Sequence, residues 1–234
     1  MSISAIVTGG TKGIGFAIAR AIVADGGRVM ITGRDRGRVD RAVAELNTGG
    51  GNRAAGAAVD VRDRRAVDAL VADTLAKFGS INTLVNNAGI GQFAEVASMA
   101  DEDWHAMIDT NLTGVFYCCR AALPALKQAR PSWIINIASL AARNYFAKAA
   151  CYCASKAGLV AFSEALMLEV RSDDVRVSCV MPGSVATEFG GHAVTAAEAW
   201  KLTPEDIAEV VMDLLHHPAR SLPSKIEIRP SKTS

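Results

Sequence analysis

Residues 4–15, Ser4-Ala5-Ile6-Val7-Thr8-Gly9-Gly10-Thr11-Lys12-Gly13-Ile14-Gly15, decide how the rest of the chain is read. A short apolar run enters a glycine-rich turn, and an alanine-rich amphipathic stretch follows, so the order is strand, turn, helix. Gly9 permits a tight turn, Gly13 lets the backbone approach a pyrophosphate, and Gly15 lets the helix pack close to the strand. The N–H groups that open such a helix have no partner within it and suit an anion. Thr11, Lys12 and Ile14 share that turn. The spacing is GxxxGxG, not the GxGxxG of the longer dinucleotide-binding enzymes. No Gly-Lys-Ser/Thr triplet is present, which excludes a P-loop.

Outward from this unit the same alternation repeats. Candidate strands are 4–8, 28–32, 54–60, 83–86, 133–138, 175–180 and 226–229. Helical stretches lie near 14–25, 36–47, 64–78, 102–129, 151–171 and 204–216. Several strands are almost wholly apolar, as parallel strands covered on both faces must be. The pattern predicts an α/β fold: a single-domain, Rossmann-like, doubly wound parallel sheet of about seven strands with helices on both faces. The domain is expected over 1–230, with a short tail at 231–234. Gly49-Gly50-Gly51 reads as a surface connection rather than a domain boundary.

Bulk properties narrow the partners. Of 234 residues half are hydrophobic and 21% charged, and the formal net charge of +1 offers no field for nucleic acid or an anionic membrane. No apolar run in the sequence approaches the roughly 20 residues of a bilayer span. The five cysteines (118, 119, 151, 153 and 179) are odd in number and clustered, and they read as free thiols in a reducing cytoplasm. Cys151-x-Cys153 lacks a second ligand pair, so no metal site is expected.

The end of the second strand, Ile31-Thr32-Gly33-Arg34-Asp35, bears on cofactor choice. An NAD-preferring site usually carries a carboxylate there for the ribose hydroxyls. Here Gly33 leaves room, and Arg34, helped by Lys12, is suited to a 2′-phosphate. NADP(H) is therefore expected and NAD(H) remains possible, with Asp35 the residue that argues for it. The competing view makes Arg34, Arg36, Arg38 and Arg41 the solvated start of a helix.

Tyr152-Cys-Ala-Ser-Lys156 puts a phenol and an ammonium one turn apart on a helix. A nearby ammonium would lower the tyrosine pKa towards a value useful for proton transfer. Ser139 ends the strand 133–138, in the crevice where open α/β sheets take ligands.

With these motifs in view, the chain resembles the short-chain dehydrogenase/reductase family over nearly its whole length. The family's glycine-rich turn corresponds to Thr8–Gly15, its acidic position near the adenine to Asp60-Val61, and its Asn-Asn-Ala-Gly segment to Asn86-Asn87-Ala88-Gly89. Its catalytic asparagine corresponds to Asn111, and the rest of the tetrad to Ser139, Tyr152 and Lys156. Pro182-Gly183-Ser184-Val185-Ala186-Thr187 corresponds to the segment that contacts the nicotinamide carboxamide.

The resemblance implies an NADP(H)-dependent oxidoreductase acting on a small carbonyl or alcohol. Tyr152 would be general acid/base, Lys156 would hold the nicotinamide ribose, Ser139 would bind the substrate oxygen, and Asn111 would position a water. The alternatives are an alcohol dehydrogenase working oxidatively and a non-catalytic dinucleotide sensor. Such sensors often lose the tyrosine or the lysine, and both stand here. Phe189, His192 and Trp200, with Phe93, Leu140, Arg143, Asn144, Tyr145 and Phe146, are expected in loops around the crevice. Arg143 is a candidate for an acidic substrate group. A homodimer or homotetramer is expected through the helices 102–129 and 151–171.

Overall fold

The computed structural model describes residues 2–189 and 198–232. Seven strands form one parallel sheet: β1 Ser4–Val7, β2 Arg28–Gly33, β3 Ala54–Ala58, β4 Thr83–Asn86, β5 Ser132–Ile137, β6 Val175–Pro182 and β7 Lys225–Ile228. Their order is β3-β2-β1-β4-β5-β6-β7, and every pairing is parallel. The order reverses between β1 and β4, which opens a crevice at the strands' carboxyl ends.

Among the described residues, seven α-helices connect the strands: α1 Gly13–Ala24, α2 Arg36–Leu46, α3 Arg64–Phe78, α4 Asp101–Ile108, α5 Gly114–Gln128, α6 Ala150–Val170 and α7 Pro204–Leu215. Alternate residues of each strand feed opposite faces. Ile6, Leu84 and Ile134 pack with α3, α5 and α6, while Val7, Val85 and Ile135 pack with α1 and α7. Burial on both faces explains why these strands read as unbroken apolar runs.

Three elements differ from the sequence reading by more than one residue. The third strand stops at Ala58, two residues early, and the sixth continues to Pro182 because β7 pairs with Cys179–Pro182. The single helix expected over 102–129 is two helices joined by a π-helical turn at Asp109–Thr113. A π turn inserts a residue without breaking the helical run, so the hydrophobic pattern does not betray it, and such turns often mark functional positions.

α6, extended by a short turn to Asp173, is long and apolar enough to cross a membrane by length and composition alone, which the search for apolar runs missed. Here it packs against β6 and carries Tyr152 and Lys156 on its buried side. All five cysteines are free and buried. Burial pushes the Cys118 thiol up to about 12 and Cys179 up to about 11.

Candidate active site

The glycine-rich turn is built as its residues demand. Gly9 adopts φ +65° and Gly13 φ +55°, both left-handed. A Cβ on Gly9 would lie 2.9 Å from the Ala88 Cα. Thr8 Oγ1 accepts hydrogen bonds from the backbone N–H groups of Asn87 (3.0 Å) and Ala88 (3.1 Å), and Asn87 Nδ2 donates to the carbonyls of Thr8 (3.0 Å) and Gly9 (3.1 Å). The β1 turn and the segment after β4 are thereby locked together at the switch point. Behind them Asn86 donates to Asn136 (2.8 Å), which donates to Ser163 (2.8 Å), so β4, β5 and α6 share a buried polar chain.

α2, α3 and α7 each carry a side-chain N-cap, from Asp35, Asp63 and Thr203. α1 begins at Lys12 with no such cap, which leaves its amide donors facing the crevice.

That crevice has a volume of about 960 Å³, against about 490 Å³ for a surface hollow near Phe146. It runs from Arg34 and Asp60 past the glycine-rich turn to Ser139, Tyr152 and Lys156, and is closed by Pro182, Gly183, Val185 and Thr187. Thr11, Lys12, Ile14, Val61, Ala88 and Gly89 line it as well. Two expected members do not. Gly15 lies beneath the turn, where a Cβ would sit 2.4 Å from Asn87 Nδ2 and 2.5 Å from the Gly9 carbonyl, so its part is close packing rather than contact with a ligand.

Asn111, expected in the tetrad, is the second. It is fully buried in the π turn. Its amide donates to the Ile90 carbonyl (2.9 Å) and to Ser155 Oγ (3.0 Å), and its oxygen accepts from the Ile90 N–H (2.9 Å). With its hydrogen bonds made to protein groups, this side chain is a positioning residue that ties the loop after β4 to α6.

Thr32, Val59, Ile90, Thr110, Ala186 and Glu188 line the crevice although the sequence reading did not single them out. Each is the chain neighbour of a motif residue, so widening every motif by one position finds them.

At the Arg34 end the three carboxylates of the lining, Glu188, Asp60 and Asp35, are each engaged by the protein. Lys12 Nζ meets Glu188 at 2.7 Å, which holds that carboxylate below its usual range. Asp60 is gripped by the Arg62 guanidinium, with contacts of 2.6 to 3.0 Å, and its pKa is lowered by that hydrogen bond. Asp35 accepts from the Arg38 N–H at 2.7 Å as the cap of α2. A Cβ at position 33 would sit 2.6 Å from Thr11 Cγ2, so a carboxylate side chain there would displace the turn.

At the other end burial governs. Lys156 Nζ donates to the Ile137 carbonyl at 2.9 Å and lies 6.0 Å from the centre of the Tyr152 ring. Desolvation pushes its pKa down to about 8. Desolvation also raises the Tyr152 pKa, against a smaller lowering by a hydrogen bond with Ser139. The sequence reading expected the ammonium to lower the phenol; burial raises it instead, and the opposing effect comes from Ser139. Ser139 ends the β5 segment, and its Oγ accepts from the Ala141 N–H at 3.1 Å.

Arg143, the candidate for an acidic substrate group, is instead paired with Glu227 at 2.9 Å. His192 lies outside the described residues. His105 is exposed on α4 and does not line the crevice.

The short chain dehydrogenase family pattern matches residues 4–198. The chain belongs to the short-chain dehydrogenases. It is 36% identical over 220 residues to a 3-oxoacyl-[acyl-carrier-protein] reductase of Chlamydia muridarum, covering 90% of this chain and 89% of that one. It is 37% identical to an NADP-dependent 3-hydroxy acid dehydrogenase of Salmonella typhi, covering 96% of this chain and 94% of that one. Among solved structures, an alcohol dehydrogenase from Thermococcus sibiricus complexed with 5-hydroxy-NADP superposes with a TM-score of 0.93 at 29% identity, covering 100% of this chain and 99% of that one. This short-chain dehydrogenase is an oxidoreductase with a Rossmann-like fold.

Proposed function

We propose that this short-chain dehydrogenase reduces a ketone or aldehyde to the alcohol with NADPH. The observation that carries the reading is one crevice with an uncapped-helix end that carries Arg34 and Arg38 and another end where half-buried Ser139 meets buried Tyr152 and Lys156. The residues fit a dinucleotide: left-handed glycines and free α1 amides suit its pyrophosphate. Lys12, Arg34 and Arg38 suit a 2′-phosphate, while Asp35 is committed to capping α2. The Salmonella relative's NADP dependence and the NADP derivative in the Thermococcus structure agree with this preference.

When bound, NADPH supplies the hydride to the carbonyl carbon. Tyr152 gives its phenolic proton to the carbonyl oxygen, and Ser139 donates a hydrogen bond to the same oxygen as charge develops there. Lys156, held at the end of β5, binds the nicotinamide ribose and carries a proton that it can release near neutral pH. Asn111 fixes the loop and helix on either side of them. Pro182, Gly183, Val185 and Thr187 hold the carboxamide end of the cofactor, and Asp60, Val61, Asn87, Ala88 and Gly89 its adenosine side.

In oxidation Tyr152 is the base, and the alcohol dehydrogenase from Thermococcus favours that second reading. The acting unit is one domain, 1–230 with a tail at 231–234. It works in the cytoplasm as a homodimer or homotetramer through α5 and α6, where Phe116 and Leu168 stand exposed.

The test is consumption of NADPH and NADH by the purified protein with a panel of ketones, aldehydes and 3-oxoacyl thioesters. NADPH-preferring carbonyl reduction is the expected result. Oxidation of alcohols alone would favour the second reading, and a preference for NADH would overturn the assignment of Arg34.

A further inference from the structure

We infer that the substrate is a neutral carbonyl compound bearing an aryl or similarly flat apolar group, recognised by Phe93 and Phe189; this rests on the reductase reading. The Tyr152 ring is flanked on two sides. Phe93 meets it edge-on with centroids 5.7 Å apart and planes at 71°, and Phe189 meets it at 5.7 Å and 54°. A Cβ on Gly91 would lie 2.6 Å from Phe189 Cε1 and 3.3 Å from Phe93 Cζ, so both ring tips close over that bare glycine. Phe146 backs Phe93 at 5.8 Å.

These rings come from three loops, after β4, β5 and β6, and converge on the Tyr152 ring, Phe93 and Phe189 directly and Phe146 through Phe93. None is spent on the core: Phe93, Phe146 and Phe189 are 46%, 53% and 41% exposed. Apolar rings left in water at the rim of a reaction site gain burial when a flat apolar group enters. Phe189 lines the crevice together with Tyr152 and Ser139, so such a group adjoins the reacting carbonyl.

Charge points the same way. The loop that carries Phe146 has two cations, and both are paired: Arg143 with Glu227 at 2.9 Å and Lys148 with Glu95 at 3.7 Å. Glu227 also holds Arg229 at 2.7 Å. A substrate carboxylate would have to break one of these pairs, whereas an aryl group needs neither. The chemistry therefore differs from that of the 3-hydroxy acid for which the Salmonella relative is named.

The experiment compares acetophenone, butanone and 3-oxobutanoate on the NADPH-loaded protein, measuring binding by calorimetry and turnover by NADPH consumption. Acetophenone should exceed 3-oxobutanoate in both. Phe93→Ala and Phe189→Ala should each lower kcat/KM for acetophenone by about tenfold, the scale of a lost aromatic contact, and lower it by clearly less for butanone, which offers the rings no flat face. An unchanged thermal midpoint reports an intact fold, and Phe189→Leu, which keeps an apolar side chain, should fall between. Better binding or turnover of 3-oxobutanoate, or equal losses for all three compounds, would overturn the inference. Aryl-selective binding that the alanine variants abolish, without turnover of any carbonyl, would uphold the aryl site at Phe93 and Phe189 and overturn the reductase reading and the carbonyl substrate that rests on it.

Discussion

Lys12 and Lys156 line one crevice at opposite ends, and their surroundings differ in kind. Lys12 is more than half exposed and sits 2.7 Å from Glu188, which is itself exposed, so its charge is paired in a solvent-screened setting. Lys156 is 5% exposed, hydrogen-bonds the Ile137 carbonyl, and has its pKa pushed to about 8 by burial. On the proposed function, the nucleotide end would select by charge pattern and the catalytic end would work through desolvation. Identical side chains acquire different tasks because the sheet's switch point leaves one end open and β5 and α6 enclose the other.

Three perturbations sharpen that contrast, from the largest effect downward. Lys156 has a folded pKa below its ordinary 10.5, so the unfolded chain binds the extra proton between about 8 and 10.5. Below pH 8 both states are protonated and the burial cost stands in full; as pH rises through that window the cost is relieved. The difference in unfolding free energy, wild type minus Lys156→Met, should therefore rise by about 1.4 kcal/mol per pH unit at most across that window. The difference is the proper readout in denaturant melts. The raised Cys118 and Cys179 thiols lower the stability of both proteins above pH 9. A flat difference would mean that Lys156 is not held deprotonation-prone by burial.

At the open end, Arg34→Ala should weaken NADPH binding by roughly tenfold and leave NADH nearly unchanged, since a charge-assisted contact to phosphate is worth about 1.5 kcal/mol or more. Equal losses for both cofactors, measured by fluorescence titration, would remove Arg34 from the choice. Asp35→Ala should cost about 1 kcal/mol of stability through the lost α2 cap without improving or impairing NADH binding. A selective loss of NADH affinity would show that Asp35 reaches the ribose.

The two ends also differed in how well the sequence exposed them. Strand–helix alternation and the positions of Gly9 and Gly13 are local properties, visible in a few consecutive residues. Tyr152 and Lys156 were legible because a spacing of four fixes a shared helix face. The Lys12–Glu188 pair was not, because 176 residues separate its partners and no periodicity links them. Nor was the π turn at Asn111, which lies inside a continuous helical pattern, or the convergence of Phe93 and Phe189 on Tyr152, which depends on how two loops fold back. The capture of Asp60 by Arg62 was within reach, since the two are only two positions apart.

The most direct test of the account is the effect of Tyr152→Phe on carbonyl reduction, with NADPH affinity measured on the same sample. Loss of the proton donor should lower kcat by about a thousandfold, within the range for general acid catalysis, while the dissociation constant for NADPH changes less than about threefold, since the rest of the crevice is untouched. Turnover at the wild-type rate would contradict the role of Tyr152 and, with it, the claim that the buried end of the crevice is where the chemistry occurs.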